Sequence, residues 1–169
     1  MSDETTGKRA ERDYRQLSGI ADSQQAIDEV IGAAERTLRI FDISLSNRGF
    51  NTPARADRLR EFLVRGRAHR LLIALHETEL LERENPRLLR LLRQFPMSIE
   101  IHRTLAQARN ATDPFVLADD HSVWHQLHFE QPRAVVALRS PADALPIAQR
   151  FEEIWDLSEP AVSATTLGL

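Results

Sequence analysis

Apolar residues recur at Ala26, Ile27, Val30, Ile31 and Ala34, the three-and-four spacing of a helix with one buried stripe. Asp22 or Ser23 can cap it, which predicts a first helix over 23–36. The period then changes. Residues 37–45 are rich in β-branched and aromatic side chains, alternate at Ile43 and Leu45, and predict a strand running into the polar loop Ser46-Asn47-Arg48-Gly49. Thr52-Pro53 pairs an N-cap with proline at the first helical position, and Leu59, Phe62 and Leu63 line one face before Gly66. A second helix is predicted there.

Residues 71–75 form a short unbroken apolar run, as expected of a strand buried on both faces, and it ends at His76. Asn85-Pro86 repeats the cap-plus-proline device ahead of Leu88, Leu89, Leu91, Leu92 and Phe95, and Pro96 stops that helix. Residues 98–102 alternate as another strand. After Asn110 the pattern changes again: 114–118 and 123–129 read as strands about an Asp119-Asp120 turn, a hairpin, and 133–138 as one more strand. Ser140-Pro141 opens a closing helix in which Ile147, Phe151, Ile154 and Trp155 share a face. The order α-β-α-β-α-β, then hairpin and strand, predicts an α/β fold. Its sheet is mixed, parallel in the first part and flanked by helices.

A length of 169 residues fits one domain. Residues 1–16 are almost wholly polar and 160–169 small and unpatterned, so both read as loosely held tails around a domain over 17–159. No apolar run approaches the ~18 residues of a membrane span, and no apolar segment follows Met1. A cytoplasmic protein without membrane partners is expected. The chain has no cysteine, which removes disulfides, thiolate nucleophiles and Cys-ligated metals. Its only lysine is Lys8, so Walker-type phosphate binding and Schiff-base chemistry have no residue in the domain. No cofactor is expected.

The net charge is −3 at pH 7, which argues against a general polyanion binder. Arginines nevertheless dominate residues 48–109, whereas the stretch after Asn110 is acidic. Either the arginines decorate solvated helix faces, or they form a patch for nucleic acid or phosphate.

Three α/β steps, a hairpin beginning near Asp113, a further strand and a last helix carrying Phe151 and Trp155 together resemble one half of the phospholipase D superfamily fold, of bacterial kind, over 23–158. Active members of that family carry His-x-Lys-x4-Asp at the start of the hairpin. Their histidine attacks phosphorus and their lysine holds phosphate oxygens. The matching segment runs Thr112-Asp113-Pro114-Phe115-Val116-Leu117-Ala118-Asp119, with Thr112 in place of the histidine, Pro114 in place of the lysine, and Asp119 retained. A threonine hydroxyl without an adjacent base is a poor nucleophile, and proline offers phosphate neither charge nor N–H. The resemblance therefore implies a catalytically inactive relative in which Asp119 is a turn residue. Active single-half relatives pair two motifs across a dimer, so it also implies a homodimer or another protein partner.

Ligands of open α/β sheets gather beyond the carboxyl ends of parallel strands. Arg48, His76, His102 and Arg103 would share that edge as an anion site, beside Ser44, Asn47 and Glu77. His121, His125 and His128 have metal-ligand spacing on a helix, but the segment reads as a strand, and sheet-surface histidines are expected rather than a metal site. Trp155 belongs to the apolar stripe of the last helix, while Trp124 could be core or exposed. Three readings follow: an inactive binding or regulatory domain, a phosphodiesterase rebuilt around His76 or His102, and a nucleic-acid binder using the arginine-rich segment.

Overall fold

The computed structural model describes residues 13–165. Its elements are β1 (Asp13–Ser18), α1 (Ile20–Ala33), β2 (Thr37–Asp42), α2 (Pro53–Val64), β3 (Arg70–Leu75), α3 (Leu81–Glu84), α4 (Pro86–Gln94), β4 (Ile99–Thr104), β5 (Phe115–Ala118), β6 (Ser122–His128), β7 (Gln131–Leu138), α5 (Pro141–Asp156) and β8 (Ser158–Val162). The strands make one open sheet in the order β1-β7-β6-β5-β2-β3-β4-β8. β2, β3 and β4 are parallel, and the hairpin β5–β6 runs antiparallel beside β2. The mixed sheet of the sequence pattern is thus present, and no helix among the described residues is long and apolar enough to cross a membrane.

Alternation along the strands separates two interiors. Leu38, Ile40, Ile73, Ile101, Trp124 and Val136 pack with Ile27 and Val30 of α1, Leu59 and Phe62 of α2, and Leu88 and Leu91 of α4. Phe41, Ala74, Phe115, Leu117 and Val123 pack on the other face with Ala144, Ala148, Phe151 and Ile154 of α5. One face therefore carries three long helices and the other a single one.

Both edge strands depart from the tails read in the sequence. Residues 13–16, expected as tail, pair with β7, and 160–162 pair with β4 as part of β8; residues 1–12 and 166–169 lie outside the described residues. An edge strand is held by backbone hydrogen bonds along one side and needs little apolar alternation, so DYRQLS and SEPAV carry almost no period-two signal. Pro160 is tolerated there because its missing N–H costs an edge strand nothing. Helix α1 starts earlier than its expected cap, after Gly19 at φ 100. Thr52 does cap α2, its hydroxyl accepting from the Arg55 N–H. Asn85 provides no side-chain cap; Asn51 Oδ1 instead takes the Arg87 N–H at 3.1 Å.

Candidate functional site

Beyond β2, residues Ile43 to Asn51 cross the carboxyl edge of the parallel strands. Two non-glycine residues of this loop, Leu45 (φ 67) and Asn47 (φ 62), adopt the left-handed conformation. Arg48 folds back from it: Nε donates to Asp42 Oδ2 at 2.8 Å and Nη2 to Asp42 Oδ1 at 3.3 Å, while the guanidinium lies 5.1 Å from the centre of the Trp124 ring. Trp124 is thus core, buried beneath a cation already neutralised by a buried carboxylate. A cavity of about 320 Å³ opens beside Arg48, with Gln126 in its wall. Gln126 is buried and its Nε2 donates to the carbonyls of His128, Phe129 and Gln131, closing the β6–β7 turn from within.

The four residues expected to form an anion site do not converge. His76 contacts Phe41 on the α5 face, its Nε2 2.7 Å from the Ala111 carbonyl and its Nδ1 2.5 Å from Thr104 Oγ1. A carbonyl only accepts, so Nε2 carries a proton and both ring nitrogens are spent inside the protein. His102 stacks on Trp155 at 3.6 Å between ring centres and pairs Nδ1 with Ser158 Oγ at 2.9 Å. Burial pushes its pKa down, with Glu100 opposing, so the ring is neutral at pH 7. Arg103 is exposed and pairs with Glu79 at 3.4 Å. Arg48 lies over the three-helix interior and the two histidines on the opposite side of the sheet.

The segment opening the hairpin has two sides. Val116 lies opposite Trp124, and alternation puts the buried Pro114 on that same side. Asp113 faces the other way. Its carboxylate accepts from His125 Nε2 at 2.8 Å and from Arg150 of α5. Burial alone would raise the Asp113 pKa, but the His125 hydrogen bond and the Arg150 charge outweigh it and hold the carboxyl below its usual range. Asp119, at the far end of β5, sits in a left-handed turn (φ 50) and receives the backbone N–H groups of Glu35, Arg36 and Thr37 at 2.7, 3.0 and 2.9 Å. Seven residues of near-extended chain put it roughly 20 Å from Thr112, at the opposite edge of the sheet.

A family model described as "Domain of unknown function (DUF7931)" matches residues 20–167. The chain belongs to that family. No curated protein matches the DUF7931 chain in sequence. Solved structures do. The DUF7931 chain is similar to Nuc, a phospholipase D family member from Salmonella typhimurium (15% identity, 90% of this chain and 100% of that one, TM-score 0.62). It is likewise similar to NucT from Helicobacter pylori (12% identity, 89% and 100%, TM-score 0.64). TrmBL2, an archaeal chromatin protein whose structure shows a novel mode of DNA binding, matches at 16% identity and TM-score 0.66. That match covers 94% of this chain and 57% of the chromatin protein, so the DUF7931 chain spans little more than half of its length. The fold is phospholipase D-like.

Within the DUF7931 fold, β6 is a strand, and the histidines in and just before it take separate partners: His121 Nδ1 meets Ser122 Oγ, His125 meets Asp113, and His128 Nδ1 accepts from the Glu130 N–H. The cluster Asp113, His125 and Arg150 was not legible as a unit in the sequence. Its members are 12 and 37 residues apart. The signal available was the placement of Asp113 one residue after Thr112, hence on the opposite face of an extended segment.

Proposed function

We propose that this domain is a non-catalytic binding module built on a phospholipase D-like fold. The observation that carries the reading is that no base is hydrogen-bonded to the Thr112 hydroxyl among the described residues: His76 has both ring nitrogens bonded, His102 is stacked against Trp155, and His125 belongs to the other face. A hydroxyl with no base bonded to it, two residues before a proline, supplies neither attack on phosphorus nor a cation for its oxygens. A phosphodiesterase rebuilt on His76 or His102 would have to dismantle bonds that hold β3, β4 and α5 together. Purified protein is therefore expected to hydrolyse neither bis-p-nitrophenyl phosphate nor single-stranded DNA, with or without divalent metal. Turnover that disappears in His76→Ala, His102→Ala protein would overturn the reading.

Nucleic acid is the partner favoured by one further feature. Helix α4 turns Leu88, Leu89, Leu91 and Leu92 inward and leaves Arg90 and Arg93 exposed and Arg87 half-buried, with no acidic residue from Pro86 to Gln94. Three arginines at i, i+3 and i+6 form a basic ridge despite the net negative charge, and the similar archaeal chromatin protein is described as binding DNA. Replacing all three by alanine is expected to weaken binding to duplex or single-stranded DNA and to flatten the slope of log K against log salt by about 2–3 units. An unchanged slope in a fluorescence-anisotropy titration would exclude this ridge.

A further inference from the structure

Helix α5 covers only part of its face of the sheet. Alongside it, β1, β7 and β6 leave a groove of about 750 Å³, within the ~300–1,000 Å³ range of small-molecule sites. The register sets its floor: Gln16 lies opposite Val135 and Val135 opposite His125, while Ser18 lies opposite Arg133. The walls are mixed, their apolar part including Leu127, 57% exposed, and Ile147 from α5. Among the polar groups that line this space, two carry the chemistry of a ligand site and have a side-chain nitrogen without a partner among the described residues. The Asp113 carboxylate only accepts, so the proton of a neutral His125 is on Nε2 and its Nδ1 lone pair is left over; Nδ1 has no hydrogen-bond partner among the described residues. Arg133 is exposed and has neither ion pair nor hydrogen bond among them. One acid, Asp143 at the start of α5, lines the groove and accepts the Ser140 hydroxyl.

We propose that this groove binds a small amphipathic organic anion, its acid group on Arg133, its apolar body on Val135, Leu127 and Ile147, and a hydroxyl or N–H donated to His125 Nδ1. Arg133 and His125 are diagonal neighbours on adjacent strands, about 7 Å apart at Cα, which puts both within reach of one small ligand. Asp113 and Arg150 are positioning residues: they hold the imidazole with Nε2 towards the protein and Nδ1 towards the groove. The site lies on the face of the sheet opposite Arg48 and Pro114, and it stands whether or not α4 binds nucleic acid.

8-Anilinonaphthalene-1-sulfonate has the required parts, a sulfonate, fused apolar rings and an N–H, and serves as the probe. Titration into the full chain should give saturable one-to-one fluorescence enhancement. Arg133→Ala should weaken it roughly tenfold or more, and His125→Phe, which keeps the ring and removes the acceptor, by about threefold. Leu127→Ser, a change at an exposed site, should weaken it through lost apolar contact, and Arg65→Ala at the end of α2 should leave it unchanged. Near-ultraviolet circular dichroism on each variant checks that the fold is kept. Failure of the wild type to bind, or equal affinity in Arg133→Ala, would overturn the proposal without touching the hydrolysis and DNA measurements.

Discussion

Asp119→Ala is expected to lower the unfolding free energy by about 3 kcal/mol, because it strips one ionised acceptor from three backbone donors at once. The N–H groups of Glu35, Arg36 and Thr37 converge on the two Asp119 oxygens where the chain turns from α1 into β2, and the Asp119 N–H returns a bond to the Thr37 carbonyl at 2.8 Å. This contact fastens the first residue of a central strand to the tip of the hairpin beside it. For a domain of this size the loss corresponds to a fall in Tm of roughly 10 °C, measurable by calorimetry or by the urea midpoint. Asp119→Asn should lie between the two, since one oxygen can still accept from Arg36 and Thr37 while its amide faces the Glu35 N–H.

The pH dependence follows from the same contact. Burial pushes the Asp119 carboxyl up, but the three backbone hydrogen bonds and the neighbouring His121 outweigh it, and the pKa is lowered on folding. A carboxyl depressed in the folded state stabilises above its unfolded pKa, near ~4, and that contribution is lost as pH falls through the folded value. Asp113 acts in the same sense. Wild-type stability should therefore decline below about pH 4 more steeply than that of Asp119→Ala. A mutant whose stability falls in parallel with wild type would show that Asp119 is not the group being titrated.

Asp119 also shows what could be read from the sequence. It stands at the aspartate position of the motif with which the segment was compared, and the turn expected there is present, with Asp119 at φ 50. Its grip on three N–H groups more than eighty residues upstream leaves no local trace. The parallel core was legible because β2, β3 and β4 must satisfy burial on their faces, which writes apolar runs into the chain. The edge strands were not, since backbone pairing specifies almost nothing about side chains. The expected anion site failed for a related reason: proximity in strand-end order says which residues share an edge, whereas the face each occupies depends on register, and His76 and Arg48 fall on opposite faces. Arginines are likewise ambiguous in sequence. Arg90 and Arg93 of α4 are exposed, but Arg55, in the same run of basic residues, is 3% exposed.

That buried arginine carries the second large effect. Arg55 donates from Nε to Asp28 Oδ1 at 2.6 Å, from Nη1 to the Arg48 carbonyl at 3.0 Å and from Nη2 to the Gln24 carbonyl at 3.0 Å, and its guanidinium lies 4.8 Å from the centre of the Phe50 ring. It thus ties α2 to α1 and to the loop that carries Arg48. Burial pushes its pKa down, and Asp28 opposes the shift, as expected of a desolvated cation retained by its partners. Arg55→Ala should cost about 3–5 kcal/mol, since two carbonyls lose their donor and a cavity forms beside Phe50. Arg55→Lys should recover less than half of that loss: a single ammonium cannot meet three acceptors fixed around a planar fork. The left-handed Leu45 and Asn47 cost about 1 kcal/mol or more each, and the Arg55 contacts hold the loop against that strain. Amide hydrogen exchange across residues 44–51 should therefore rise in the lysine variant even where the rest of the sheet stays protected. A variant that loses less than 1 kcal/mol, with unchanged exchange in this loop, would show that the loop keeps its shape without the arginine fork.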